Sequence, residues 1–418
     1  MSYGFGKFGR TAVCAAALMT LQQVASAATI DSALDVLGSY NLFVSGDVGS
    51  STQAYISDSE GAMVVGGNAY LTSFANASTT QVNGYGLIVG GSLAFTNGSL
   101  GGNTYVGGSA ALKSVSANAL TAGGSLYLDT MAVNGTATAG GSVKSYQVSF
   151  GQNVNALGGA KFAYSEVAGN VSAGTAATNG GSIHLNQSVI DGTANVGSQG
   201  TFSMKSNTSE AVGGVITSNA ALPTSSATAA PLNITSTWSN LTQESTTLGG
   251  LAQTAGATVV SQYGGLTLTG TNAKLDVFNI TSTQLSGIND FTLNAPTGAT
   301  VVINVTGSSV SWTNSGYNLN GVTENDVLFN FTNASSILFS GIGVEGSILA
   351  TGATISGTGH LDGSIVASAI KGNIQLNSDP FTGSVSAVPL PGAMLLFGSS
   401  LLGLGVAGAR RRAKRRSA

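Results

Sequence analysis

Pairs of glycines recur along this chain at near-constant intervals, and nothing else in the sequence restricts its fold as strongly. They fall at Gly66-Gly67, Gly90-Gly91, Gly107-Gly108, Gly123-Gly124, Gly140-Gly141, Gly158-Gly159 and Gly180-Gly181. The steps between them are 24, 17, 16, 17, 18 and 22 residues. A period in the high teens is too short for helical repeats and fits one coil of a β-solenoid. Short alternating stretches follow the pairs, such as "SLAF", "SAAL", "SLYL" and "SIHL". Leu93 with Phe95, Leu126 with Leu128, and Ile183 with Leu185 share one face, as in half-buried strands. The glycine pairs are expected at sharp corners, supplying positive φ and stacking without side-chain clashes. Helices are disfavoured because glycines and β-branched residues interrupt every candidate.

Seventeen residues at about 3.3 Å each give a perimeter near 56 Å, or about 19 Å per side of a triangular coil. Coils stacked about 4.8 Å apart turn residues 61–212 into roughly nine coils, a rod about 40 Å long. The expected fold class is therefore all-β: a right-handed parallel β-solenoid (β-helix) with one or two capping helices. "IDSALDVLGSYNLFVSGDV" (30–48) reads as a short helix and a strand placed before the first coil, with Leu34, Val36 and Leu37 facing it. Residues 217–256 read as a Pro/Ser/Ala linker and one helix laid along the solenoid. Trp238, Leu241, Leu248 and Leu251 form its apolar stripe and Ser236 its cap. Strand patterns resume over 263–383 without a strict period. They extend one continuous rod or form a second β-domain beside it.

The two ends of the chain read differently from the body. Lys7 and Arg10 precede an apolar stretch and then "ASAA", with small residues at Ala25 and Ala27. This is the pattern of a secretory signal over residues 1–27, cut between Ala27 and Ala28, with an uncleaved anchor or a buried helix as the alternative. Residues 385–418 contain Val388-Pro389-Leu390-Pro391, then 18 uncharged residues (392–409), then Arg410, Arg411, Arg412, Lys414, Arg415 and Arg416. As a helix the uncharged run is about 27 Å long, barely the hydrocarbon thickness of a bilayer. The basic cluster would hold its end in the cytoplasm. It is a transmembrane-type helix that is either an address removed after reading or a retained single-span anchor.

Removing both ends changes the charge balance. The chain has 14 Lys+Arg and 17 Asp+Glu. Only six cations, all lysines, lie in the body 28–384, against all 17 acids, a net of −11. That argues against nucleic acid as a partner. The one cysteine, Cys14, lies within the signal, so the mature protein has no disulfide and no thiolate chemistry. Low charge with 42% apolar residues fits an ordered β-protein better than a disordered chain.

Catalytic constellations are hard to find. Glu324 and Asp326 in "TENDV" are the closest carboxylates, and a turn accounts for them. His184 and His360 have no ligand spacing. His184 should point outward from its strand. The sequence therefore leads to no catalytic, cofactor-binding or metal-binding residues, and no cofactor. One feature is suggestive: the third residue after each pair is Tyr70, Ala94, Ala111, Tyr127, Lys144, Phe162 or His184. Coils stacked in register would align these as one outward strip, able to stack on sugar rings or simply filling a solvated β-face.

Several stretches resemble the choice-of-anchor A domain family of secreted bacterial surface proteins: "YNLFVSGDV" (40–48), "GAMVVGGNAYLTSF" (61–74), "LTLTGTNAKLDVFNIT" (266–281), the block 299–350, and "LDGSIVASAIKG" (361–372). The resemblance covers residues 31–383 and implies an adhesive, β-solenoid-like domain without catalytic residues. This chain departs from it at "QLNSDPF" (375–381), where the family tends to carry Glu-x-His before Pro-Phe. The tail resembles the PEP-CTERM sorting signal, with Val388-Pro389-Leu390-Pro391 as its tetrapeptide. That resemblance implies an exosortase-type processing enzyme, transient residence in the inner membrane of a Gram-negative-type bacterium, and release into an exopolysaccharide-rich matrix or onto the cell surface. The resulting expectation is a non-enzymatic, adhesin-like structural protein whose partner is exopolysaccharide. A polysaccharide-active β-helix enzyme and an ice- or surface-binding solenoid are the alternatives.

Overall fold

The computed structural model describes residues 33–385, apart from 81, 176–179, 219–221 and 223–228. Ala27, Ala28, Val388–Pro391 and the basic residues 410–416 lie outside the described residues. Up to Ser384 the described chain forms one compact unit, a three-walled parallel β-solenoid. A typical coil supplies Leu120–Ala122 to the first wall, then Leu126–Val133, which bends to serve the second and third. Leu126, Leu128, Met131 and Val133 are buried in the shared interior. Their alternation slips by one residue at Thr130, where the chain turns the corner.

The corners correct one expectation. Where the second wall meets the third, positive φ angles of 48–59° fall on Ser73, Asn97, Ser114, Thr130, Gln147, Tyr164 and Gln187. Most of the paired glycines sit at the other end of the second wall with ordinary φ, and sterics explain their choice. A Cβ on Gly107 would lie 2.3 Å from the Gly90 oxygen, and one on Gly140 would lie 2.1 Å from the Gly123 oxygen. Each rung's corner backbone rests directly on the rung below, so only glycine leaves room.

The order of rungs departs from the order of the sequence. Along the first wall, parallel pairing runs from Leu275–Thr281 through Thr300–Thr306, Val327–Phe331 and Ser347–Ala350 to Ile365–Ala367. Ile365–Ala367 then pairs with Leu42–Val44, whose other side pairs with Met63–Val65. From there the ladder follows the glycine repeat through Leu87–Val89, Thr104–Val106, Leu120–Ala122, Ala137–Ala139, Val154–Ala156, Val171–Ala173 and Ala194–Val196 to Val215–Thr217. Fifteen rungs at about 4.8 Å span about 67 Å. The glycine repeat contributes nine of them.

The strand after the first helix is thus an interior rung rather than the first of the stack. The helix itself, 33–39, forms as expected, with Leu34 and Leu37 buried and Val36 half-buried. Both extremities of the described chain meet there. Asn41 Nδ2 donates to the Asn377 carbonyl (2.6 Å), Ser364 Oγ to Leu37 O (2.6 Å), and Phe381 N to Leu37 O (3.3 Å).

A second helix, Ile234–Gly249, lies on the outer surface of the first wall, returning the chain to the far end of the stack. Its cap is Asn233, which accepts a hydrogen bond from Ser236 N, and not Ser236; Leu251 lies beyond its end. Leu241 and Leu248 are fully buried, and Trp238 stacks on Phe43 at 6.3 Å and 10°. The sheet beneath answers with a row of asparagines. Asn304 Nδ2 donates to Leu248 O (2.8 Å) and Asn279 Oδ1 (3.0 Å). Asn330 Nδ2 donates to Ser245 O (2.9 Å) and Asn304 Oδ1 (2.8 Å), and Ser245 Oγ donates to Asn330 Oδ1 (2.6 Å). The far end is closed by Thr258–Gln262, antiparallel to Gly265–Thr269, in a separate four-stranded sheet.

Candidate functional site

The second wall carries the chemistry. Alternation along each strand sends two residues per rung outward, and the pairing aligns them between rungs. The first outward row is Tyr70, Ala94, Ala111, Tyr127, Lys144, Lys161, His184 and Ser203. The second includes Lys113, Asp129 and Tyr146 on consecutive rungs.

One member of the expected strip is wrong. Phe162 is buried (2% exposed), and Lys161 takes its place in the row. The phase slips because Leu157 and Gly158 occupy the two corner positions of this coil and Gly159 the usual serine position. Leu157 N donates to Ala139 O, Gly158 N to Gly141 O, and Gly159 N to Ser142 Oγ. The missing serine after Gly158-Gly159 was the available signal. Tyr146 was also missed, although it lies two residues beyond Lys144 on the same face.

Neighbouring side chains on this face interact across rungs. Lys144 Nζ sits 5.2 Å from the centre of the Tyr127 ring. Lys113 Nζ and Asp129 Oδ2 are 3.0 Å apart. The Asp129 carboxyl is held below its ordinary pKa, first by the hydrogen bond from Thr130 and then by Lys113. Tyr146 and Tyr164 meet edge-on at 5.5 Å, and His184 Nδ1 is hydrogen-bonded to Ser203 Oγ. Tyr127, Tyr146 and Tyr164 are each nearly half exposed (45–48%), unlike the tyrosine Tyr55, which is buried and donates its hydroxyl to Ile374 O. Two shallow grooves, of about 490 and 450 Å³, run along the wall and meet at Lys144 and Ser145.

The other titratable residues fall elsewhere. Glu324–Asp326 form a 3₁₀ turn, with Asp326 Oδ2 accepting from Thr323 N at 3.0 Å, so the two acids do not share a strand face. His360 lies 3.9 Å from Asp362 on the third wall, far in the chain from His184. Glu345, in the same region, has its pKa raised by burial and then by the charges of Asp362 and Glu324. Among the described residues no three acids, histidines or cysteines converge as a metal site. None of the described helices is long and apolar enough to cross a membrane.

The model described as "Putative Ice-binding-like adhesive domain" matches residues 33–129 and 118–378. The chain belongs to this family. The two ice-binding-like adhesive matches overlap at 118–129 and together span the solenoid from the first helix to the last strand. No curated protein and no solved structure matches the chain. A rigid β-rod of an adhesive family fits an adhesin-like structural protein.

Proposed function

We propose that this chain is a non-enzymatic, exported adhesin of the exopolysaccharide matrix. The observation that carries the reading is the in-register outward row on the second wall, from Tyr70 to Ser203. Each rung adds an outward position about 4.8 Å from the last, so weak individual contacts add along one polymer. The resemblance of 31–383 to the choice-of-anchor A family supports surface display. The resemblance of 388–418 to a PEP-CTERM signal supports removal of the tail at Val388–Pro391 by an exosortase-type enzyme in the inner membrane. The test is co-sedimentation of the exported protein with secreted polysaccharides, alongside a turnover assay. Saturable binding without cleavage is expected, and saturable cleavage would replace this reading with the enzyme alternative. Intact mass of the exported protein checks the tail: a chain ending near 388–391 is expected, and one retaining Arg410–Arg416 in membranes refutes processing.

A second reading, adsorption to ice or another ordered surface, has its own support. On three consecutive rungs of the second wall, nine aligned outward positions are Ser309, Ser311 and Thr313; Ser336, Leu338 and Ser340; Thr354, Ser356 and Thr358. Eight of the nine carry hydroxyls on a regular lattice. Growth of a single ice crystal in the purified protein decides it: faceted or arrested growth supports it, and unaltered growth removes it.

A further inference from the structure

The lysines of this acidic body are not scattered. Of its six, Lys113, Lys144, Lys161 and Lys205 lie within six successive rungs of the second wall, and Lys371 lies on the same wall four rungs before Lys113. In the two outward rows of those rungs the one carboxylate is Asp129, and Lys113 already holds it. Lys144, Lys161 and Lys205 have no ion-pair partner among the described residues, and Lys144 and Lys161 are exposed neighbours. A protein with a net body charge of −11 has therefore kept a cationic strip on one wall. Exposed tyrosines flank it, with Tyr127 one rung before Lys144, Tyr146 beside it, and Tyr164 packed on Tyr146.

We infer that this strip binds an acidic polysaccharide, a polymer of carboxylated sugars laid along the rod axis. The inference deepens the adhesin reading and rests on it. Charge selects the class: unpaired ammonium groups in line attract carboxylates, and the net-negative remainder of the body repels the same polymer elsewhere. Ring chemistry selects sugars, because exposed tyrosine faces offer a flat apolar platform with a polar tip. Spacing fits as well. Rungs about 4.8 Å apart approach the advance of one pyranose unit along an extended glycan, so Tyr127, Lys144, Lys161 and His184 meet successive sugars. The two grooves that join at Lys144 give the polymer a continuous track.

The experiment measures binding of the exported protein to polygalacturonate, fully methyl-esterified polygalacturonate, neutral dextran and double-stranded DNA, at low and high salt. The inference expects polygalacturonate to bind best, with affinity falling as salt rises. Lys144→Ala with Lys161→Ala should weaken it by about tenfold or more. Lys274→Ala with Lys371→Ala, which removes the two lysines outside these six rungs, should leave it unchanged. Tyr127→Ala with Tyr146→Ala should weaken both the charged and the esterified polymer. All six positions are on the surface, and thermal melts confirm that the variants fold. Equal binding of the esterified polymer and dextran, insensitive to the lysine pair, overturns the inference while the adhesin reading survives. Absence of binding to any polysaccharide sinks both. DNA binding as tight as polygalacturonate binding, and lost with the same lysines, overturns the assignment to sugars.

Discussion

Asn330 locks the long helix to the solenoid, and its removal tests how the two are joined. The side chain is fully buried and makes three hydrogen bonds, to Ser245 O (2.9 Å), to Asn304 Oδ1 (2.8 Å) and from Ser245 Oγ (2.6 Å). In Asn330→Ala the Ser245 hydroxyl and the Asn304 amide oxygen lose these partners at sites where both residues are at most 2% exposed. Each buried orphan costs about 1–3 kcal/mol, so the substitution should destabilise by about 4 kcal/mol. Asn330→Leu fills the space yet orphans the same two groups, so it should still cost about 2 kcal/mol or more. Adding Ser245→Ala to Asn330→Ala removes one orphan, and the double variant should be about 1–2 kcal/mol more stable than additivity predicts. Equilibrium denaturation gives the energies, and amide hydrogen exchange over 234–249 shows whether the helix opens first. Asn330→Ala within about 1 kcal/mol of wild type, with Asn330→Leu equal to wild type, would refute the account: the helix would then be held by Leu241, Leu248 and Trp238 alone.

Three further outcomes follow from the same structure. Gly140→Ala places a methyl 2.1 Å from the Gly123 oxygen, and forcing two rungs apart should cost about 3 kcal/mol, read by chemical denaturation. Asn233→Ala removes the helix cap that Ser236 N donates to and should cost about 1 kcal/mol in the same assay. Glu345 is pushed above its ordinary pKa by burial and then by Asp362 and Glu324. The folded state therefore disfavours its ionised form, and stability is lost as pH rises from the ordinary carboxylate value through the raised one. Glu345→Gln should match wild type near pH 4 and exceed it near pH 7.5, about three pH units above the ordinary Glu value; a variant less stable at the higher pH contradicts this.

Much of the solenoid could be read from residues. The glycine beat, the alternation in "SLYL" and the helix pattern at Trp238, Leu241 and Leu248 all appear where they were expected. These are local signals, set by corners and faces within one coil. The order of stacking is not local. Leu42–Val44 and Ile365–Ala367 pair across more than 320 residues, and any short apolar strand could have served as the neighbour. The asparagine row was also missed, although each of Asn279, Asn304 and Asn330 interrupts an apolar strand ("FNI", "INV", "FNF") at the same outward position. A polar residue repeated inside apolar strands signals a partner on the outer face. For the candidate site, alternation predicted an outward row, but one skipped serine moved Lys161 into it and Phe162 out.

The junction of early and late chain has a mechanical consequence. The polypeptide leaves the solenoid beside the helix 33–39, with five first-wall rungs to one side of Leu42–Val44 and nine to the other. A tether attached at Phe381 would grip this rod at the waist. Both tips would stay free, and a load on a bound polymer would act as a lever about that point rather than as a pull along the stack. Ile365–Ala367 is the rung that joins the later-made arm to Leu42–Val44, so neither arm is closed at its inner edge until that late rung has been made.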